Sequence, residues 1–97
     1  MWWVESLEAS RRPYLVLTRA AAIPLLNSYL AVPATRRVRG LPTEVEIGRR
    51  DGMPDECALT LDNTSLIPRS FFIERICRLS HARMQEVCRA LCVATGC

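Results

Sequence analysis

Apolar and polar side chains alternate through most of this chain and take up a helical period only near its end. Residues 1–7 set Trp3, Glu5 and Leu7 against Trp2, Val4 and Ser6, which predicts a strand beginning with the polypeptide itself. The polar stretch 8–12 predicts a short loop. Residues 14–18 are almost wholly apolar and predict a second, central strand. Residues 19–26 leave two readings open, since Ala20-Ala21-Ala22-Ile23 favours a helical turn and Pro24 limits it. A third strand is predicted over 27–34, broken near its end by Pro33. A clean alternation over 43–47 points Val45 and Ile47 inward, Arg50-Asp51-Gly52 signals a turn, and alternation resumes over 57–62. The last strand is predicted over 71–79, with Phe72 and Ile76 facing the core. Ser80 then supplies an N-cap, Met84, Val87, Cys88 and Leu91 share a helical face, and Gly96 stops the helix. Five or six short strands and one terminal helix predict a mainly β, α+β fold. It is a small, strongly curved sheet or barrel with the helix on one side, in one domain spanning 1–97.

Size and charge narrow what such a domain does. A chain of 97 residues buries only roughly 60–65% of its unfolded surface, so a partner would help it. Net charge is +3, and all thirteen basic residues are arginine. Coding bias accounts for most of the missing lysine, although arginine also suits phosphate and base recognition. The densest cluster is Arg36, Arg37 and Arg39, with no acid among them; it reads equally as a solvated loop or an RNA contact. The five cysteines form no CxxC pair, and the single His81 completes no metal-ligand set, so no metal or cofactor is expected. The thiols read as small core residues in a reducing cytosol. Nothing resembles a signal peptide or a membrane span, so a cytoplasmic protein is expected.

The residues that carry candidate chemistry sit at predicted strand ends. Pro13 biases Arg12 toward extended geometry at the mouth of strand two, so Arg12 is a pre-aimed cation, with Arg11 beside it. Thr35 closes strand three, and Asp62 and Asn63 close strand five. Strand ends on one rim of a barrel would share a cleft. One histidine at a helix start builds no serine–histidine–acid set, and four scattered glycines build no phosphate loop. Phosphoryl transfer remains open if the substrate supplies its own nucleophile, as RNA does through its 2′-hydroxyl. Arginine would then stabilise the developing negative charge and a threonine hydroxyl would add a donor.

Trp2-Trp3-Val4, Arg12-Pro13-Tyr14-Leu15-Val16-Leu17-Thr18 and Leu30-Ala31-Val32-Pro33-Ala34-Thr35 follow one another in a familiar order. Leu41-Pro42-Thr43-Glu44-Val45-Glu46-Ile47, Gly52 with Cys57, Leu61-Asp62-Asn63-Thr64 and Ile76-Cys77-Arg78-Leu79-Ser80 complete it. Over essentially its whole length the chain resembles the MazF/PemK family of toxin endoribonucleases. That resemblance implies an SH3-like barrel, usually a homodimer, that cuts single-stranded RNA and is inhibited by a cognate antitoxin. It implies Arg12 and Thr35 as the catalytic pair, RNA contacts by Arg11, Arg36, Arg37 and Arg39, and proximity of Asp62, Asn63 and Thr64 to the scissile site. The chain departs from the family in lacking a basic residue and glycine before its first strand, so a truncated or upstream start is expected. Its 8–12 loop is also shorter than usual, which touches RNA access and antitoxin control. The rivals are a CcdB-like gyrase poison on the same architecture and an inactive RNA- or antitoxin-binding module.

Single residues also have plain readings. Arg12 taken alone is a surface arginine and Thr35 an ordinary strand threonine. Asp62 caps a turn or meets RNA. Of the adjacent tryptophans one is expected in the core, the other at a dimer interface or stacked on a base. His81 is expected to be exposed.

Overall fold

The computed structural model describes residues 1–6 and 10–97. The expected place of Leu7 in the first strand, and residues 8 and 9 of the 8–12 loop, lie outside the described residues. Among the described residues seven strands form a single antiparallel sheet: β1 (Trp2–Val4), β2 (Arg12–Val16), β3 (Ser28–Thr35), β4 (Glu44–Ile47), β5 (Cys57–Thr60), β6 (Ser65–Pro68) and β7 (Phe72–Arg75). The order is β4-β5-β3-β2-β1-β7, with β6 also on β3. One helix, α1 (His81–Thr95), packs on β4 and on the turn Leu61–Asn63. This is the mainly β, α+β class expected. Among the described residues no helix is long and apolar enough to cross a membrane.

β3 is the spine. Along one edge it pairs with β2, and it serves β6 with residues 28–31 and β5 with Ala34 and Thr35. Pro33 does not break it, contrary to expectation. The proline falls in the gap between the β6 and β5 pairings, where no neighbouring strand on that side claims a backbone N–H. The Thr60 hydroxyl donates to its carbonyl at 3.3 Å. The two readings of residues 19–26 resolve as a 3-10 turn, Ala20–Leu25, that contains Pro24.

β1, β5 and β7 are shorter than predicted, β1 ending at Val4, and one strand is additional. β5 stops at Thr60 because residues 61–63 turn: the Thr43 hydroxyl donates to Asp62 Oδ2 at 2.6 Å, and the Thr64 hydroxyl to the Leu61 carbonyl at 2.7 Å. The turn feeds β6, which a four-residue Ser-Leu-Ile-Pro segment hardly announces. β7 ends at Arg75, and the Ile76 N–H bonds the Met1 carbonyl at 2.8 Å instead.

The core gathers Val32, Val45, Ile47, Leu59, Leu61 and Val87, each at most 5% exposed. Val45 and Ile47 point inward as their alternation requires. Phe72 is only half-buried, tilted against Tyr29 at 5.6 Å, while Ile76 packs on the core. Ser80 caps α1, its hydroxyl accepting the Arg83 N–H at 3.2 Å, and Gly96 closes it at φ 74°. The buried stripe of α1 is Val87 and Ala90, flanked by Met84, Leu91 and Ala94. Cys88 is turned roughly 100° round the helix from Val87 and is exposed, with Cys92 and Cys97. The reading of the cysteines as core residues holds for Cys57 alone; Cys77 is half-buried. Neither Trp2 nor Trp3 is a core residue, since both are half-buried on opposite faces of β1. His81 is exposed as expected.

An ion pair locks α1 to the turn after β4. Arg83 Nε donates to Asp51 Oδ1 at 2.9 Å, and Asp51 Oδ2 accepts the Gly48 N–H at 2.9 Å. Burial pushes the Asp51 carboxyl up, but the Gly48 amide and the Arg83 guanidinium together outweigh it and hold it below its ordinary value. The folded pKa therefore lies under the unfolded one. The stabilisation is complete above about pH 4 and is lost as pH falls through the folded value. Asp51→Asn should cost about 1–2 kcal/mol at neutral pH, at the low end because Arg83 is partly exposed. Urea titrations should show that difference shrinking toward pH 3.

Candidate active site

Proline builds the geometry around Arg12. β2 pairs with β1 through Val4↔Arg12 and Trp3↔Pro13, and with β3 through Tyr14↔Pro33. Carried two residues toward the start of β2, the second register sets Arg12 opposite Thr35. Arg12 Nε donates to the Ala34 carbonyl at 3.3 Å. That bond fixes the guanidinium plane and leaves its terminal nitrogens without a partner among the described residues. Thr35 Oγ1 accepts the Arg37 N–H at 3.2 Å, so its own proton remains available for donation.

These groups line one open cleft of about 340 Å³, together with Trp3, Arg11, Arg36 and the segment Met53-Pro54-Asp55. Arg36 pairs with Asp55 at 3.0 Å, both exposed. Arg11 lies 5.9 Å from the Trp3 ring centroid and 3.6 Å from Glu74. Among the described residues Asp55 is the one carboxylate in the lining, so the cleft presents guanidinium, hydroxyl and indole groups, suited to a phosphate with an adjoining base.

The expected assembly is met in part. Arg11, Arg12, Thr35 and Arg36 share the cleft; Arg37 and Arg39 belong to the exposed loop that leaves it. Glu44 holds that loop, its Oε1 accepting the Arg39 N–H at 3.0 Å. Asp62, Asn63 and Thr64 do not join the cleft. Thr35 pairs with Ala58 near the start of β5, and the Leu61–Asn63 turn follows the other end of β5. The shared rim expected of all strand ends therefore fails for this segment within one chain. The sequence reading missed Met53, Pro54 and Asp55, which reach the cleft because Cys57 begins β5 beside Thr35; no local motif marks them.

The fold and cleft have relatives. A family model for the PemK-like, MazF-like toxin of type II toxin-antitoxin systems matches residues 2–95. The probable endoribonuclease MazF5 of Mycobacterium tuberculosis is 40% identical over 98 residues, covering 100% of this chain and 90% of the relative. The solved Mycobacterium tuberculosis toxin MazF-mt6 superposes with a TM-score of 0.89 at 29% identity, covering 98% of this chain and 95% of that one. A MazE–MazF structure from Deinococcus radiodurans superposes with a TM-score of 0.81 at 27% identity, covering 97% and 88%. The chain belongs to the PemK-like, MazF-like toxins of type II toxin–antitoxin systems.

Proposed function

We propose that this toxin is a metal-independent endoribonuclease that cuts single-stranded RNA at a short sequence in the cytoplasm, arrests translation and growth, and is held in check by a cognate antitoxin. The 2′-hydroxyl gives up its proton and attacks the adjacent phosphorus. The bond to the 5′-oxygen breaks, and that oxygen takes a proton. The products are a 2′,3′-cyclic phosphate and a 5′-hydroxyl. Arg12 meets the charge that develops on the phosphorane and relays protons through its hydrogen bonds; it is far too weak an acid to act as a free base. Thr35 donates to a non-bridging oxygen and orients the phosphate. Arg11, Arg36, Arg37 and Arg39 contact the RNA backbone, so affinity falls as salt rises.

One observation supports this reading above the others: Arg12 is anchored by Nε, opposite Thr35, and among the described residues neither its fork nor the Thr35 proton is claimed. The one carboxylate that the described residues bring to the cleft, Asp55, is already engaged by Arg36, which favours a charge-clamp over a metal-carboxylate chemistry. Primer extension on a long transcript with EDTA present tests the proposal. Discrete stops at a recurring short sequence are expected. An intact transcript overturns it, and inhibition of gyrase supercoiling in its place would favour the poison.

The working unit is a homodimer. Leu30 pairs with Leu66 across β3 and β6, and the two side chains are 39% and 68% exposed. Such a patch suits a second copy. Asp62-Asn63-Thr64 runs directly into β6, which brings it to the edge of that face and to RNA spanning the dimer. Leu66→Glu should shift the protein to monomer in sedimentation equilibrium and weaken cleavage with it.

A further inference from the structure

The register of β1 gathers a flat ring, a flat cation and a carboxylate beside the cleft. Trp3 lies opposite Pro13 on β2 and opposite Glu74 on the edge strand β7, so these side chains share one face of the sheet. Trp3, Arg11 and Pro13 line the cleft, and Glu74 stands one strand farther out. The Arg11 guanidinium sits 5.9 Å from the Trp3 ring centroid and 3.6 Å from Glu74. Both contacts are loose. The second is too long for a hydrogen bond, and its side chains are 50% and 63% exposed, so the pair parts at little cost. Asp55, by contrast, is hydrogen-bonded to Arg36 at 3.0 Å.

Arg11 displays what this corner accepts: a flat group over an indole, with N–H donors toward a carboxylate. We propose that Glu74 selects a guanine beside the scissile phosphate. Arg11 swings out to an RNA phosphate, and the guanine takes its place, stacked on Trp3 with its N1–H and N2–H donors on the Glu74 carboxylate. The proposal rests on the RNA-cleaving reading of the same cleft. Single-stranded RNA is commonly read by stacking splayed bases on aromatic rings and bonding their Watson–Crick edges. An ionised carboxylate offers acceptors only, and among the four bases guanine alone sets two adjacent N–H donors on that edge. Adenine and cytosine place a ring-nitrogen acceptor beside their amino group, and uracil flanks its single N–H with carbonyl oxygens. Each of these turns a lone pair toward Glu74. Selection therefore falls to Glu74, and the stacking, which any base can give, to Trp3.

The test uses the full chain and reads base preference. Wild-type protein cleaves a pool of RNAs of randomised sequence, and sequencing of the cut ends should show guanine at one fixed position beside the cut. A synthetic RNA carrying that site is then compared with a twin in which inosine replaces that guanosine, so that only the N2 amino group is lost. For the wild type kcat/KM should fall about tenfold or more on the inosine twin. Glu74→Ala should cut the two RNAs alike, with its thermal midpoint at the wild-type value, since Glu74 is exposed on an edge strand. Arg11→Ala should bind RNA more weakly and still discriminate. Four results would overturn the subsite while leaving RNA cleavage standing: cut sites without a fixed guanine, equal cutting of the twins by the wild type, discrimination that survives in Glu74→Ala, or discrimination lost in Arg11→Ala. A pool left intact by the wild type would overturn the RNA-cleaving reading, and the subsite with it.

Discussion

Arg12→Ala is expected to abolish RNA cleavage while leaving the fold intact. The side chain is exposed and its one bond among the described residues, to the Ala34 carbonyl, is long at 3.3 Å. Removing it costs the sheet little. In the proposed reaction it would face the phosphorane, where loss of a preorganised charged donor typically costs about 10²–10³ in rate. Arg12→Lys should recover little, because an ammonium cannot anchor through Nε and still present a planar fork. Single-turnover cleavage of a labelled RNA measures the rate, and circular dichroism the fold. Thr35→Ser should stay close to wild type and Thr35→Val should lose much of the rate, since only the former keeps the hydroxyl. A wild-type rate for Arg12→Ala removes Arg12 from the chemistry.

Leu59→Ala should be the most damaging single change to the fold. Leu59 is 0% exposed and sits where β5 is clasped from both sides, opposite Ala34 on β3 and Val45 on β4. Truncating a buried leucine costs about 2–5 kcal/mol, the spread reflecting how far the cavity collapses. In a domain this small that corresponds to roughly 4–8 °C of melting temperature for each kcal/mol. Activity should fall with it, because β5 also holds Thr35 through its pairing with Ala58. Calorimetry on the variant checks both the size and the cooperativity of the loss.

Much of this molecule is written locally. The alternation at Thr43-Glu44-Val45-Glu46-Ile47 gives a strand with the right face inward, and Ser80 and Gly96 bound the helix because caps are local chemistry. Arg12-Pro13 gives the aimed cation for the same reason. What sequence withholds depends on neighbours. Pro33 looks like a strand breaker until β5 and β6 are seen to leave it an unclaimed gap. Ser65–Pro68 has little strand character and is made a strand by β3. Cys88 fits the helical period but lies beyond the buried stripe, because Ala90 and Ala94 shift its centre. Asp62 and Asn63 lie in the turn that follows β5 instead of closing the strand, and at the end away from Arg12. Which end of a strand reaches a cleft is a matter of topology, and spacing alone carries no record of it.

The most direct measurement uses a synthetic RNA cut at one mapped position, and its twin with a single deoxyribose replacing the ribose 5′ to the scissile phosphate. With EDTA present the ribose strand should give a 2′,3′-cyclic phosphate and a 5′-hydroxyl by mass spectrometry, and the deoxy twin should stay whole at that position. Cleavage of the twin there, or fragments carrying a 5′-phosphate, would contradict an attack by the RNA's own hydroxyl.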